Sequence, residues 1–155
     1  MVGWGTVDRA ACRVGAQEGT TDGGPGLNTH QQQPKIELHR EPSEAERARR
    51  EVAEACAGLA RDLVTTAQLL TSELFTNALD HGEGVITLQV TRLPGELRVD
   101  VTDKSSQRPR VRPVTLHDVR GRGLMILEAL AARWGVDPAA DGRGKTVWFT
   151  LRTAE

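Results

Sequence analysis

The period of the apolar positions changes several times along the chain, and each change marks a boundary between elements. Ile36 and Leu38 alternate with polar neighbours as in a short strand, and Pro42-Ser43-Glu44 then opens a helix. Ala45, Ala48, Val52, Ala55 and Leu59 recur at helical spacing, with Gly58 near the end, so this first helix presents a thin face of small residues. A second helix is predicted from about Leu63 to Leu79. Leu63, Ala67, Leu70, Leu74 and Ala78 form its buried stripe, and His81-Gly82 closes it. Residues 85 to 92 and 96 to 103 both alternate with period two, and Leu93-Pro94-Gly95 is short enough to join them as an antiparallel hairpin. Residues 104 to 121 contain Pro109, Pro113, several arginines and no clear period, which predicts a long loop; such a loop inside a compact domain is more often functional than not. A third helix is predicted from about Arg122 to Ala132. A last strand, Thr146 to Arg152, follows the Asp141-Gly142-Arg143-Gly144 turn.

The first 34 residues stand apart. They hold seven of the 16 glycines, the Gln31-Gln32-Gln33 run and almost no periodic apolar positions, so they bury too little to offset the entropy of ordering. Residues 1 to 34 are expected to be a disordered tail, with a short recognition arm around Trp4 as the alternative, and residues 35 to 153 a single domain.

Composition narrows the function classes. Lys plus Arg number 20 against 21 Asp plus Glu, a net charge of -1, which lacks the basic excess that phosphate-backbone attraction demands of a nucleic-acid binder. Cys12 and Cys56 are too few and too far apart for a disulfide framework or a metal site, so reduced thiols are expected. Without an 18-residue apolar run or the charged-then-apolar order of a signal peptide, the expectation is a soluble cytoplasmic protein with no membrane partner.

Three features carry candidate chemistry. In the strand from Glu96, the period of two places Asp103 on the same apolar face as Leu97, Val99 and Val101. A carboxylate aimed at a core boundary is costly to desolvate unless donors meet it. A strand-end residue capping the following turn is the plainer account. On the second helix Glu73, Asn77 and His81 stand at i, i+4 and i+8 and make one polar file beside the Leu70-Leu74 stripe. An ordinary wet helix face would also produce that file. Yet these are the residue types that activate a hydroxyl, hold Mg2+ through a hard oxygen and touch a phosphate. The third feature is Gly121-Arg122-Gly123-Leu124 at a helix entry, where free backbone N-H groups and the positive end of the dipole suit an anion. The preceding loop would then be a lid.

In order, Glu73-Leu74-Phe75-Thr76-Asn77-Ala78 with His81-Gly82, Asp103 ending a strand, Gly121-Arg122-Gly123-Leu124 and Gly144-Lys145-Thr146-Val147-Trp148 resemble the GHKL ATP-binding superfamily. Within it, the chain is similar to the small anti-sigma-factor serine/threonine protein kinases, over roughly residues 36 to 152. The resemblance implies an α/β two-layer sandwich, a mixed and mostly antiparallel sheet with about three helices on one face. It implies ATP and Mg2+ as cofactors, with Asn77 as the metal ligand, Glu73 as general base and Asp103 as acceptor for the adenine amino group. His81, Gly121, Arg122, Gly123, Leu124 and Thr146 would complete the nucleotide site. An antagonist protein, a sigma factor as competing ligand and a homodimer are the implied partners.

The chain departs from the family pattern in three places. Lys104-Ser105-Ser106-Gln107-Arg108-Pro109 follows Asp103 where a glycine is usual, which predicts weak nucleotide affinity. Lys145, rather than a threonine, follows Gly144, and parity groups Lys145 with the core-facing Val147, Phe149 and Leu151; a Thr146 contact therefore needs a bulge or a water. Val119 stands where the kinases carry an arginine that reaches the terminal phosphate, leaving Arg120 or Arg122 to substitute. These departures keep open a module that binds ATP only structurally, or not at all, and acts by sequestering a partner. A detached sensor-kinase domain phosphorylating histidine is the remaining alternative.

Overall fold

The computed structural model describes residues 31–105, 122–138 and 143–154. Their elements are β1 (Gln31–Gln32), β2 (Ile36–Leu38), α1 (Glu44–Ala55), α2 (Arg61–His81), β3 (Ile86–Leu93), β4 (Glu96–Asp103), α3 (Arg122–Leu130), β5 (Arg133–Pro138) and β6 (Lys145–Arg152). The strands form one six-stranded sheet in the order β1-β3-β4-β6-β5, with β2 also on β3. Every pairing among the described residues is antiparallel. With three helices on it, the sheet makes the two-layer α+β sandwich expected from the sequence.

Alternation along the strands decides which face is covered. Ile86, Leu88, Val90, Leu97, Val99, Val101, Val147, Phe149 and Leu151 all point one way and are buried. They meet Ala67, Leu70, Leu74, Phe75 and Ala78 of α2, and Ala48 and Val52 of α1 fill the space behind. The small residues of α1 let it lie close to α2, where Arg49 donates to Ser72 Oγ at 3.1 Å and Gln68 donates to the Arg49 carbonyl at 3.1 Å. Thr71 sits wholly inside this layer because its hydroxyl bonds back to the Ala67 carbonyl at 2.7 Å.

The hairpin needs only Pro94-Gly95 between its strands, with Gly95 at φ 70. Helix α2 runs two residues beyond the predicted span at each end. Its C-terminus is closed by a group that spacing does not reveal: the Arg40 guanidinium donates to the carbonyls of Ala78, Leu79 and Gly82 at 3.0, 2.6 and 3.0 Å. A cation there satisfies end carbonyls and complements the helix dipole.

Two strands lie outside the predicted elements. Strand β1 falls within the span expected to be a tail; its glutamines pair through backbone with Arg92 and Thr91, a bond that needs no apolar side chain. Strand β5 occupies the sheet edge, with Trp134 and Val136 packed against the core and Pro138 at its end, where a missing donor is tolerated. Residues 106 to 121 of the long loop predicted over 104 to 121, the turn residues Asp141 and Gly142, and most of the predicted tail lie outside the described residues.

Candidate functional site

Strand parity brings Asp103 inside. It is the last residue of β4, on the core face after Leu97, Val99 and Val101, and is 1% exposed. The Ser105 backbone N-H donates to its Oδ1 at 2.7 Å, so the carboxylate does cap the turn that follows, as the plainer account holds. The other oxygen, Oδ2, faces the Lys145 ammonium at 3.5 Å. Lys145 is directly opposite in the β4–β6 register and is itself 7% exposed. Two opposite charges taken out of water together each need the other as a partner.

The walls around this carboxylate are made by glycines. A Cβ on Gly82 would lie 2.7 Å from Asp103 Cγ and 2.8 Å from Oδ2, so the segment leaving α2 can press against the carboxylate only without a side chain. Gly144, at φ +126, passes so close to β4 that a Cβ would come within 2.1 Å of the Asp103 carbonyl oxygen. The Lys104 N-H donates to the Glu83 carbonyl at 2.8 Å and ties the end of β4 to the same α2–β3 connection. Asp103 is thereby fixed at the C-terminal end of α2, where β4 finishes and β6 begins.

The polar file reaches this corner along α2. Glu73 and Asn77 are half-buried on successive turns, and His81 is the exposed last residue of the helix. No side-chain hydrogen bond joins Glu73 or Asn77 to another described residue. Helix α3, whose entry carries Arg122, Gly123 and Leu124, packs against α2 with Leu127 buried in the shared core. Gly121 lies outside the described residues, as do Val119 and Arg120. The fold therefore sets Asp103 beside the C-terminal end of α2, with Asn77 and Glu73 one and two turns earlier on that helix and α3 packed against it.

Thr146, expected in the nucleotide site, lies on the other side of the sheet from Asp103 and Lys145. It is one residue out of phase with Lys145, on the opposite face of the sheet, and its hydroxyl shares a 2.7 Å hydrogen bond with Thr102. The register across Thr102 and Asp103 is unbroken, so no bulge turns it inward. That outer face also carries Trp148, over which Arg98 stacks at 4.4 Å from the ring centroid while binding Asp100. Lys145 and Arg40 are the two members of the corner that motif spacing leaves unassigned.

Among the described residues no group of three or more His, Cys, Asp and Glu could hold a metal. A divalent ion here would depend on one carboxamide and on oxygens brought by a ligand. That suits Mg2+, which keeps few protein ligands when phosphates supply the rest. A buried carboxylate is the kind of acceptor that an exocyclic amine of a base can answer.

Comparison with known proteins agrees with this geometry. The model of the histidine kinase-like ATPase domain matches residues 38–151, and the chain belongs to that family. An uncharacterised protein of Streptomyces coelicolor is 42% identical over 77 residues, 46% of this chain and 73% of that one. The crystal structure of the RsbU and RsbW domains of Rv1364c from Mycobacterium tuberculosis superimposes with a TM-score of 0.58 over 79% of this chain at 20% identity. This chain spans 33% of that structure, and the likeness is one of fold. The protein is thus an ATPase-domain protein of kinase-like fold, and no helix among its described residues is long and apolar enough to cross a membrane.

Proposed function

We propose that this protein binds ATP with Mg2+ at the end of α2 and transfers the terminal phosphoryl group to a serine or threonine of a partner protein. The observation that carries the reading is the burial of Asp103 against Gly82, at the end of the helix that bears Glu73 and Asn77. Asp103 accepts the adenine amino group, a charge-assisted bond that answers the desolvated carboxylate. Asn77 offers its carboxamide oxygen to Mg2+, and the backbone amides at the start of α3 meet the phosphates. Mg2+ supplies charge neutralisation across the phosphates when bound. Glu73 takes the proton of the partner's hydroxyl, whose oxygen bonds to the terminal phosphorus as the bridging bond to ADP breaks.

The partner class that fits is an antagonist protein, with a sigma factor as competing ligand and a homodimer as the assembly. Incubation with labelled ATP, Mg2+ and candidate antagonists encoded nearby tests the reading. Transfer that falls in Glu73→Ala is expected; absence of transfer, or a rate unchanged in Glu73→Ala, removes the kinase. One observation favours a second reading. Lys145 already engages Asp103, as suits a module that binds nucleotide weakly and acts by sequestering its partner. ATP binding by calorimetry without any turnover would support that version.

A further inference from the structure

The geometry points to Lys145 as the residue that sets nucleotide affinity and base selectivity in this site, by holding the same carboxylate oxygen that an aminopurine needs. The inference rests on the ATP-binding reading of Asp103. With Oδ1 taken by the Ser105 amide at 2.7 Å and Oδ2 facing the ammonium at 3.5 Å, the carboxylate is answered before any ligand arrives. Gly82 presses on the side of Oδ2, so an amino group approaching that oxygen meets a wall as well as an ammonium. An entering base therefore competes with Lys145 for Oδ2, and the energy of weakening that charged contact is subtracted from binding. The competition is local, because Lys145 stands at the first position of β6, directly opposite Asp103.

The two groups also ask different things of a purine. A 6-amino group donates to Asp103 and competes with Lys145; a 6-oxo group cannot donate to the carboxylate but accepts from the ammonium. The wild-type protein is expected to distinguish ATP from inosine triphosphate poorly. Lys145→Met keeps the aliphatic stem and removes the competitor, leaving Oδ2 of the buried carboxylate to the incoming amine.

Calorimetric titration of wild type, Lys145→Met and Lys145→Gln with each nucleotide tests this, with thermal melts to establish folding. The methionine variant should bind ATP about tenfold more tightly and lose affinity for inosine triphosphate, widening the ratio between them. The glutamine variant, which keeps a neutral donor, should fall between it and wild type and carries the test if the methionine variant does not fold. ATP affinity in both variants equal to or below wild type, with the ratio unchanged, overturns the role of Lys145 while leaving an Asp103-dependent ATP site standing. No ATP binding by wild type or by either variant overturns both.

Discussion

Three glycines separate two physical effects, and Gly144 combines them. Gly95 is at φ +70 with nothing within 4 Å of an added Cβ, so alanine there meets only backbone strain. That strain is about 1 to 2 kcal/mol for a left-handed L-residue. Gly82 has an ordinary φ of -91 but no room: its Cβ would meet the Ala78 carbonyl oxygen at 2.4 Å and the Asp103 carboxylate at 2.7 Å. Gly144 has both problems, with φ +126 and backbone atoms of Asp103 and Lys104 at 2.1 and 3.0 Å. Those are backbone atoms at and just beyond the paired end of β4 and cannot swing aside as a side chain would. Adding strain to overlap gives about 3 to 5 kcal/mol for Gly144→Ala. For a domain of this size that is a fall in Tm of roughly 10 to 20 °C, against about 4 to 8 °C for Gly95→Ala. Differential scanning calorimetry of the three alanine variants measures the ranking. A Gly144→Ala protein melting within a few degrees of Gly95→Ala would refute the close passage of β6 against β4, and with it the geometry that holds Asp103.

Other consequences are equally direct. Phe75, fully buried between α2 and the sheet, should cost about 3 to 5 kcal/mol when cut to alanine, read by urea denaturation. Burial alone would raise the Glu96 carboxyl, but the hydrogen bond and charge of Arg133, with help from Arg98, hold it below the ordinary value of 4.5. Its folded-state value is the lower one, so its contribution to stability is present above about pH 4.5 and is lost as pH falls through the folded value. Glu96→Gln should flatten the acid limb of a stability-pH curve there, and an unchanged limb would contradict the pairing. Burial pushes the Cys56 thiol above 9.0, against a smaller lowering by Arg92, so its thiolate is scarce at neutral pH. In a Cys12→Ser background, alkylation should be slow in the native protein and rapid in denaturant; equal rates would mean that α1 does not cover it.

Most of the fold was legible because its strongest elements repeat without interruption. The α2 stripe from Leu63 to Ala78 persists for about four turns and the alternation of β3 and β4 for 8 residues each, long enough for period to determine type. Strand β5 shows only Trp134 and Val136 around Gly135, too short a run to distinguish from a loop, and it forms because β6 offers an edge. Strand β1 has no side-chain pattern at all.

The candidate site divides the same way. Period two alone sends Asp103 inward and Lys145 with it, but which residue faces which depends on the register across two strands more than forty residues apart. Thr146 was expected at the site on family pattern, and the uninterrupted register puts it on the other face. Arg40 closes α2 from 38 residues upstream of Ala78, a contact that no local spacing encodes.

The central claim is that Asp103 receives the amino group of a nucleotide base. Isothermal titration of ATP with Mg2+ into wild type and Asp103→Asn, both verified as folded, tests it most directly. The account predicts measurable binding by wild type, weakened at least about tenfold in the asparagine protein, which has lost the charged acceptor. Equal affinity in the two proteins would contradict it.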